Sequence, residues 1–339
     1  MTKRSRSERI APMPKTNPKV VVIGGGTGSF TLLSEFKHWT NNLTAIVNMA
    51  DDGGSSGELR DEFGVLPPGD IRQCLVALSN YPQAREMFSY RFGGKGKLKG
   101  HPVGNIILSA LELQTGSFEQ AVRIVANFMH ITGQVLPVSL EKHSLVMRDG
   151  KRLIKGEHKI SQHRIKHQDA SLTLQPEAKL NPAAKRAIKA ADMVVIAPGN
   201  LYSSLLPALS VKGMAKSLNS TKALIVLVAN LVNKPNQTMD WHVADYLNKI
   251  EAYAGKAIDV VLYNTELPDR QLLNRYAQDG EFPLKIDPKG FKDINARLIG
   301  ANLVADEIFS QDPNDQAIRR TLIRHDAKAV RTILESLLK

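Results

Sequence analysis

The sequence predicts an α/β protein built on a parallel sheet. Short apolar runs rich in β-branched residues, such as residues 19–23 and 223–229, alternate with amphipathic stretches that have a helical period. Two strand–loop–helix units follow one another at the start of the chain, which favours parallel strands joined by right-handed crossovers. One stretch, residues 135–181, loses the helical period and alternates in polarity, so it predicts a small β-rich insertion.

In the first half of the chain, strands are predicted at residues 19–23 and 44–48, and each runs into a glycine-rich loop. Asp70 follows a Pro-Pro-Gly sequence, so we expect it to cap the helix that comes after it. Further helices are predicted at residues 30–39, 105–113 and 118–131.

Within the insertion, Asp149 and Gly150 separate two short alternating segments, and this dipeptide suits the tight turn of a hairpin between residues 144–147 and 151–154. The α/β alternation then resumes, and Asp326 is expected to cap the last helix. The elements predicted here are helices at residues 182–190, 203–218, 241–253, 269–278 and 326–338, and strands at residues 193–197, 223–229 and 258–263.

These elements divide the chain into a Rossmann-like core and an insertion. The core comprises residues 19–134 and 182–339, and the insertion comprises residues 135–181. Residues 1–18 precede the core; they are basic, and their composition is typical of a disordered tail.

Composition restricts the class of protein. Hydrophobic residues make up 42% and charged residues 23% of the 339 residues, which is typical of a soluble globular protein. No apolar run approaches the roughly 20 residues of a membrane span. A single cysteine, Cys74, excludes an intramolecular disulfide, and the basic N-terminus is not followed by the apolar segment of a secretory signal. We therefore expect a cytoplasmic protein.

The net charge of +12 favours anionic partners. Aromatic residues make up only 6% of the chain and are not interleaved with the basic runs, so nucleic acid is a disfavoured partner. Three histidines in the insertion, His158, His163 and His167, have spacings that match no helical metal face, and we expect them at the surface.

The first glycine-rich loop, VVVIGGGTGSF, places Gly24, Gly25, Gly26, Thr27 and Gly28 between the first strand and its helix. Glycines at this position let backbone N–H groups approach a phosphate. The spacing matches neither the dinucleotide fingerprint nor a Walker loop. The loop therefore predicts a phosphate-bearing ligand, with a tight turn that binds nothing as the alternative.

The second loop, NMADDGGSSG, follows the second strand. Asp51 and Asp52 could hold a ribose diol or a Mg²⁺ ion that bridges phosphates, and Ser55 and Ser56 supply hydroxyl groups. A solvated turn is the alternative. Because neighbouring parallel strands end at the same sheet edge, both loops should face one crevice.

Other polar residues are expected near the same edge. GHPVGN brings His101, Gly104 and Asn105 to a helix start, and APGNLYSS brings Gly199, Asn200, Ser203 and Ser204 to another. Tyr276 could stack on a base or pack in the core, and Arg324 could bind a phosphate or pair with Asp326. No nucleophile motif is evident, so covalent catalysis is unsupported.

Five motifs occur in order from about residue 19 onward: VVVIGGGTGS, NMADDGGSSGELRDEFGVLPPGDIRQCLVAL, GHPVGNIILSALE, APGNLYSSLLP and LIRHD. Together they resemble the YvcK-type gluconeogenesis factors, also called the CofD-like or UPF0052 family. The resemblance implies a three-layer Rossmann-like fold and a regulator that binds UDP-sugars such as UDP-N-acetylglucosamine, supporting cell-wall precursor supply and cell shape. More distant relatives are the 2-phospho-L-lactate transferases, which use Mg²⁺ to move a phospholactyl group from a guanosine diphosphate carrier onto a deazaflavin.

The resemblance also implies site residues. Residues 24–28, Asp51, Asp52, Asp70, Asn105, Gly199 and Asn200 match the family's ligand-edge motifs, and Tyr276 and Arg324 match its RYA and RHD motifs. The chain departs from the family pattern at residues 29–31, at residues 101–103 and in the NKPNQT loop, residues 233–238.

Three functions are therefore considered. The first is a non-catalytic nucleotide-sugar sensor with a regulated protein partner, the second a Mg²⁺-dependent phospho-group transferase, and a distant third an NAD(P)-dependent enzyme, which the glycine spacing disfavours. Mg²⁺ is the one candidate cofactor, with Asp51 and Asp52 as its candidate ligands, and a homo-oligomer is compatible with the sequence.

Overall fold

The structure is a computed structural model that describes residues 17–167, 169–278, 280–287, 290–291, 294–305 and 324–339. The predicted tail, residues 1–18, lies outside this part of the chain except for its last two residues. A seven-stranded parallel sheet has the strand order β10-β9-β8-β7-β1-β2-β3, and a three-stranded antiparallel sheet has the order β5-β4-β6. The strands are β1 Val20–Gly24, β2 Leu43–Val47, β3 Gln134–Pro137, β4 Ser144–Asp149, β5 Arg152–Lys155, β6 Ser171–Gln175, β7 Met193–Ile196, β8 Leu224–Val228, β9 Val260–Asn264 and β10 Arg297–Ala301.

Helices cover both faces of the large sheet. The helices are α1 Gly26–Phe36, α2 Gly54–Phe63, α3 Gly69–Leu78, α4 Pro82–Ser89, α5 Val103–Thr115, α6 Phe118–Phe128, α7 Glu157–Gln162, α8 Pro182–Ala190, α9 Leu206–Leu209, α10 Met214–Ser220, α11 Val243–Ala254, α12 Arg270–Gln278 and α13 Ala327–Leu337, and a π-helical turn spans Leu201–Leu205. In the described ranges, no helix combines the length and apolar character needed to cross a bilayer.

The two helical layers follow from the direction in which the chain crosses the sheet. From β1 the chain moves to β2 on one side, and from β7 it moves to β8 and β9 on the other. Because right-handed crossovers in opposite directions place their helices on opposite faces, the two groups of helices are separated by the sheet. Accordingly, α1 packs against α3 and α13, whereas α10 packs against α8 and α11. The predicted α/β fold class is confirmed.

The central strands explain why the sequence shows apolar runs without alternation. Every residue of β1 and of β7 is buried. The two strands lie side by side, with Val21 opposite Val194, and β2 flanks β1 on its other edge. Since helices cover both faces, both sets of side chains must be apolar.

The insertion contains the predicted hairpin. Strands β4 and β5 pair with Asp149 opposite Arg152, and Gly150 in the turn has φ of +58°. The strand β6 completes this sheet and was not predicted from the sequence. The start of the insertion differs from the predicted residue 135, because residues 135–137 belong to β3 and pair with β2 in the large sheet.

The buried Asp149 organises the segment that follows α7. Its carboxylate accepts hydrogen bonds from His163 Nε2 at 2.8 Å and His167 Nδ1 at 2.7 Å, and from two backbone N–H groups. Burial would raise the pKa of Asp149, but these hydrogen bonds outweigh it and hold the pKa far below its usual range. His163 and His167 therefore tie this loop to the hairpin. His158 and His167 are exposed, as predicted, whereas His163 is half-buried.

Several predicted elements differ in detail. Residues 203–218 do not form one helix: the chain breaks into the π-helical turn, α9 and α10, because Pro207 lies in the first turn of α9 and Gly213 adopts φ of +98° before α10. The glycine- and serine-rich stretch after Asp52 was predicted as a loop. In the structure, α2 begins within it, at Gly54. Helix α4 and strand β10 were not predicted.

The two expected caps have different outcomes. The side chain of Asp326 accepts hydrogen bonds from the N–H groups of Lys328 at 2.9 Å and Ala329 at 3.0 Å, as predicted. Asp70 was wrongly predicted as a cap: α3 begins at Gly69 with Pro68 in the capping position, so Asp70 lies inside the first turn. Its carboxylate is instead hydrogen-bonded by the N–H of Gly26.

Substitution of Gly28 tests the contact between the loops after β1 and β7. A Cβ atom at Gly28 would lie 1.9 Å from the carbonyl oxygen of Pro198, so the backbone would have to move. We expect Gly28→Ala to destabilise the protein by about 1–3 kcal/mol, the usual cost of overpacking. The matched control is Gly93→Ala, where an added Cβ meets nothing within 4 Å. Equal melting temperatures for the two variants in thermal denaturation would contradict this contact.

Candidate functional site

The strand order reverses between β1 and β7, and the crevice at such a reversal is where ligands bind in open α/β sheets. A cleft of about 430 Å³ lies there, referred to below as the switch-point cleft. The predicted site residues that line it are Gly25, Gly26, Thr27, Gly28, Gly199, Asn200, Ser204 and Arg324.

The glycine-rich loop presents the start of α1 to the cleft. Gly25 occupies the N-cap position and supplies no side-chain cap, and Gly26 has φ of +66°, which favours glycine. The first N–H groups of a helix have no intrahelical partners. The N–H of Gly26 is bonded to Asp70, and the next two, of Thr27 and Gly28, border the cleft. No acidic residue lies in the first turn, so this helix end favours an anion.

The opposite wall is fixed by two asparagines. Asn200 caps the π-helical turn by accepting hydrogen bonds from the N–H groups of Tyr202 and Ser203. Asn230, just after β8, hydrogen-bonds both backbone groups of Gly199. Its Oδ1 accepts from the Gly199 N–H at 3.0 Å, and its Nδ2 donates to the Gly199 carbonyl at 2.9 Å. The wall is therefore held in place by side chains from two strand ends.

Among the described residues, two cationic side chains line the cleft, Lys234 and Arg324, together with one carboxylate, Glu281. Burial lowers the pKa of Lys234, and the charges of Glu157 and Glu281 oppose that change. His325 also lines the cleft, and burial lowers its pKa to about 4, so it is neutral at pH 7. The cleft thus combines excess positive charge with a helix N-terminus.

An acidic cluster lies directly beside the glycine loop. It comprises Asp51, Asp70 and Glu157; an added Cβ at Gly25 would lie 2.3 Å from Asp70 Oδ2. Burial and the charge of Asp51 raise the pKa of Asp70 to about 7. Burial and the same charge raise the pKa of Glu157 to about 8, against a hydrogen bond from Ser203. The pKa of Asp51 is also raised, chiefly by burial.

The two adjacent aspartates have different surroundings. Asp52 caps α7, since its carboxylate oxygens accept from the N–H groups of Glu157 at 2.9 Å and His158 at 2.7 Å. Asp51 Oδ1 accepts from the Gly53 N–H at 3.0 Å and contacts the Ser56 hydroxyl. Across the described residues, no group of three or more His, Cys, Asp or Glu side chains is arranged to hold a metal ion.

Another set of predicted site residues forms a hydrogen-bonded chain away from the cleft lining. Arg72 Nε donates to Asn105 Oδ1 at 3.0 Å, and Asn105 Nδ2 donates to Ser55 Oγ at 3.1 Å. Ser55 Oγ lies 2.8 Å from His101 Nδ1, and His101 Nε2 lies 2.9 Å from a carboxylate oxygen of Glu58. The network therefore joins α2, α3 and α5, and its members His101, Asn105 and Arg72 are buried.

The remaining predicted residues are packed between elements. Ser56 Oγ accepts from the Gly69 N–H at 3.1 Å. Gly24 and Gly104 lie in tight contacts, with added Cβ atoms 2.5 Å from Ser29 Oγ and Phe88 Cδ1, respectively. Ser203 is buried, and its carbonyl accepts from Asn48 Nδ2 at 3.1 Å. Tyr276 is buried in α12 and does not line the cleft.

Sequence reasoning missed four residues that shape this region: Lys234, Asn230, Glu157 and Glu281. A signal existed for Lys234, because the NKPNQT loop that contains it was recognised as a departure from the family pattern. Asn230 likewise follows a predicted strand directly. Nothing in the local sequence indicates that Glu157, which lies in the insertion, reaches the loops of the core.

Comparisons with known proteins agree with this fold. Residues 20–304 match the family model described as "2-phospho-L-lactate transferase CofD". A putative gluconeogenesis factor of Nostoc sp. is 41% identical over 314 residues, covering 91% of this chain and 68% of that protein. The gluconeogenesis factor of Bacillus subtilis is 35% identical over 332 residues, covering 95% and 98%.

A crystal structure of a UPF0052 family protein from Bacillus halodurans superposes with a TM-score of 0.84 at 32% identity, covering 96% of this chain and 99% of that chain. Fold and cleft thus define an α/β protein with a crevice at the reversal of strand order. The chain belongs to the CofD family, and its closely matching relatives bear the name gluconeogenesis factor.

The acidic cluster predicts how stability depends on pH. The pKa values of Asp70 and Glu157 are raised in the folded state, so their protonated forms favour folding below about pH 4, and this contribution is lost as the pH rises through about 7 to 8. The unfolding free energy measured by urea denaturation should therefore fall as the pH rises from about 4 to about 8.

Asp70→Asn and Glu157→Gln should each flatten that pH dependence and raise the melting temperature at pH 8 by roughly 2 °C or more. The control is Glu62→Gln, at an exposed position of α2. A pH profile unchanged by either variant would show that the cluster does not control stability.

Proposed function

We propose that this chain is a cytoplasmic regulatory protein that binds a UDP-sugar, such as UDP-N-acetylglucosamine, in the switch-point cleft. The observation that carries the proposal is that Thr27 and Gly28, in the first turn of α1, line one cleft of about 430 Å³ together with Lys234 and Arg324. This volume lies within the usual range for small-molecule sites. Backbone N–H groups at a helix start together with cationic side chains are suited to a diphosphate.

The names of the relatives support a role in carbon metabolism. Relatives that are more than a third identical to this chain over the aligned residues are named putative gluconeogenesis factor or gluconeogenesis factor. We propose that this chain likewise acts on carbon metabolism, signalling the level of a nucleotide-sugar to a protein partner and supporting cell-wall precursor supply and cell shape. Under this proposal no bond is made or broken in the cleft.

A second candidate is a Mg²⁺-dependent transferase of phospho-groups. The family description and the acidic cluster favour it. Clustered buried carboxylates repel one another, and a divalent cation would relieve that repulsion. Asp51 fits such an ion better than Asp52, whose oxygens cap α7. Mg²⁺ would neutralise phosphate charge, and phosphoryl-type transfer otherwise needs mainly positioning, so the lack of a nucleophile does not exclude it.

Lys234 tests the anion-binding role. Lys234→Met keeps the length of the side chain and removes its charge, so calorimetric titration with UDP-N-acetylglucosamine should show at least about tenfold weaker binding, or roughly 1.4 kcal/mol. Lys95→Met, at an exposed position, is the matched control and should bind like the unmodified chain. Titrations with other UDP-sugars, GDP and NAD establish base preference. If none of these nucleotides binds, the proposed function is wrong.

The adjacent aspartates separate a ligand role from a structural one. We expect Asp51→Asn to weaken Mg²⁺-dependent nucleotide binding by at least about tenfold with little change in melting temperature. Asp52→Asn should instead lower the melting temperature, because an amide cannot accept both hydrogen bonds from the start of α7. The reverse pattern would assign the ligand to Asp52.

A direct assay separates the sensor from the transferase. The protein is incubated with Mg²⁺, a guanosine diphosphate-linked phospholactate and a deazaflavin acceptor. Transfer of the phospholactyl group would end the claim that the protein is a sensor alone. Absence of product, combined with tight UDP-sugar binding, supports the sensor.

A further inference from the structure

A second cleft, of about 560 Å³, lies between the insertion and the core, and we call it the insertion cleft. Its walls are residues 164–165 of the insertion, residues 236–237 and 239–241 of the loop before α11, and Asp245, Asn248 and Lys249 of α11. None of these residues lines the switch-point cleft. It is thus a separate space, larger than the cleft assigned to the nucleotide.

The charges of the insertion cleft are balanced. Arg164 and Lys249 are cationic, and Asp240 and Asp245 are anionic, so the four formal charges cancel. Three of them are engaged by the protein. Lys249 Nζ donates to the Ala170 carbonyl at 2.7 Å, Asp245 accepts from the His242 N–H at 2.7 Å, and Asp240 pairs with Lys285. Such a lining selects for a neutral polar ligand rather than for a phosphate.

Gln237 supplies an acceptor that lacks a partner. The residue is 6% exposed, and its Nε2 donates to the Ile160 carbonyl at 2.8 Å, which fixes the orientation of the amide. The other end of the amide, Oε1, is buried and makes no hydrogen bond within the described chain. A buried acceptor without a donor costs free energy, which a ligand that donates an O–H or N–H would recover.

Trp241 adds a rigid apolar wall. Its ring makes edge-on contacts with Tyr202 and Tyr246, at centroid distances of 6.3 and 5.4 Å, and remains half-buried. The ring orientation is therefore set before any ligand arrives. An indole face beside amide groups suits a molecule with an apolar C–H face and a rim of hydroxyl groups.

The loop that carries these groups is held in an uncommon conformation. Asn236 has φ of +66°, one of two non-glycine residues with positive φ in the described ranges. Its carbonyl accepts from the Ile165 N–H at 2.8 Å, which ties the loop to the insertion. Backbone conformations of this kind persist where surrounding contacts impose them and are concentrated at ligand sites.

We propose that the insertion cleft binds a neutral, hydroxyl-rich ligand of the monosaccharide class. A sugar hydroxyl donates to Gln237 Oε1, the C–H face of the ring packs on Trp241, and Asn248 contacts the remaining hydroxyls. The site does not depend on a nucleotide in the switch-point cleft, so either proposal can fail alone.

The chain offers a built-in reporter, because Trp39 and Trp241 are its only tryptophans. In Trp39→Phe, fluorescence comes from Trp241 alone. Titration with N-acetyl-D-glucosamine, D-glucose or myo-inositol should give a saturable change with a dissociation constant in the millimolar range, and glucose 6-phosphate should bind no better than glucose. No saturable change with any of the neutral compounds up to about 50 mM would overturn the proposal.

Two variants test the contacts in that background. Gln237→Leu should weaken the best sugar at least tenfold, and Asn248→Ala, at an exposed position, should weaken it several-fold without affecting folding. Gln114→Leu, exposed on α5, is the matched control. Sugar binding unaffected by both cleft variants would overturn the proposal.

Competition distinguishes the two clefts. Saturating UDP should leave sugar binding in place, and Gln237→Leu should retain its affinity for UDP-N-acetylglucosamine within about twofold. If UDP abolishes sugar binding, the sugar occupies the switch-point cleft and the insertion cleft is not its site. If sugar binds and no nucleotide does, the proposed nucleotide function fails and this proposal stands.

Discussion

The close approach of two loops, where the strand order reverses, is the constraint on which the rest of the structure depends. Gly28 lies against the carbonyl of Pro198, so the first turn of α1 packs directly on the loop after β7. A side chain at Gly28 would push them apart and alter the cleft that Gly28, Asn200 and Lys234 line together. The parallel core positions the strand ends, and this contact brings their loops together.

Charges of opposite sign lie on the two sides of this contact. On the cleft side, Lys234 and Arg324 with the start of α1 attract an anion. On the other side of Gly25, burial raises the pKa values of Asp51, Asp70 and Glu157, and the charge of Asp51 raises those of Asp70 and Glu157 further. Such a cluster opposes folding when it is ionised, and groups of this kind are concentrated at functional sites. The protein therefore holds mutually repelling carboxylates directly beside the glycine-rich loop.

The sequence predicted the positions of the strand ends well and the hydrogen-bond partners of individual polar side chains poorly. Glycine-rich loops after β1 and β7 could be placed at one edge because parallel strands end together. Adjacent residues such as Asp51 and Asp52 could not be told apart, since their partners, Gly53 in one case and the start of α7 in the other, depend on where the insertion packs. Asn105 matches a ligand-edge motif and His101 lies in the same loop, yet Asn105 is hydrogen-bonded by Arg72, and His101 lies within hydrogen-bond distance of Ser55.

Helix α7 is the element that joins these features. Its first residue, Glu157, belongs to the acidic cluster and is held by the Asp52 cap, and the Ile160 carbonyl in its second turn orients the Gln237 amide in the insertion cleft. Three residues after α7, Ile165 bonds to Asn236 in the same loop that carries Lys234. The same short helix therefore contacts the acidic cluster at its start and the Gln237 amide in its second turn. The insertion thus supports both the acidic cluster beside the glycine-rich loop and the wall of the insertion cleft.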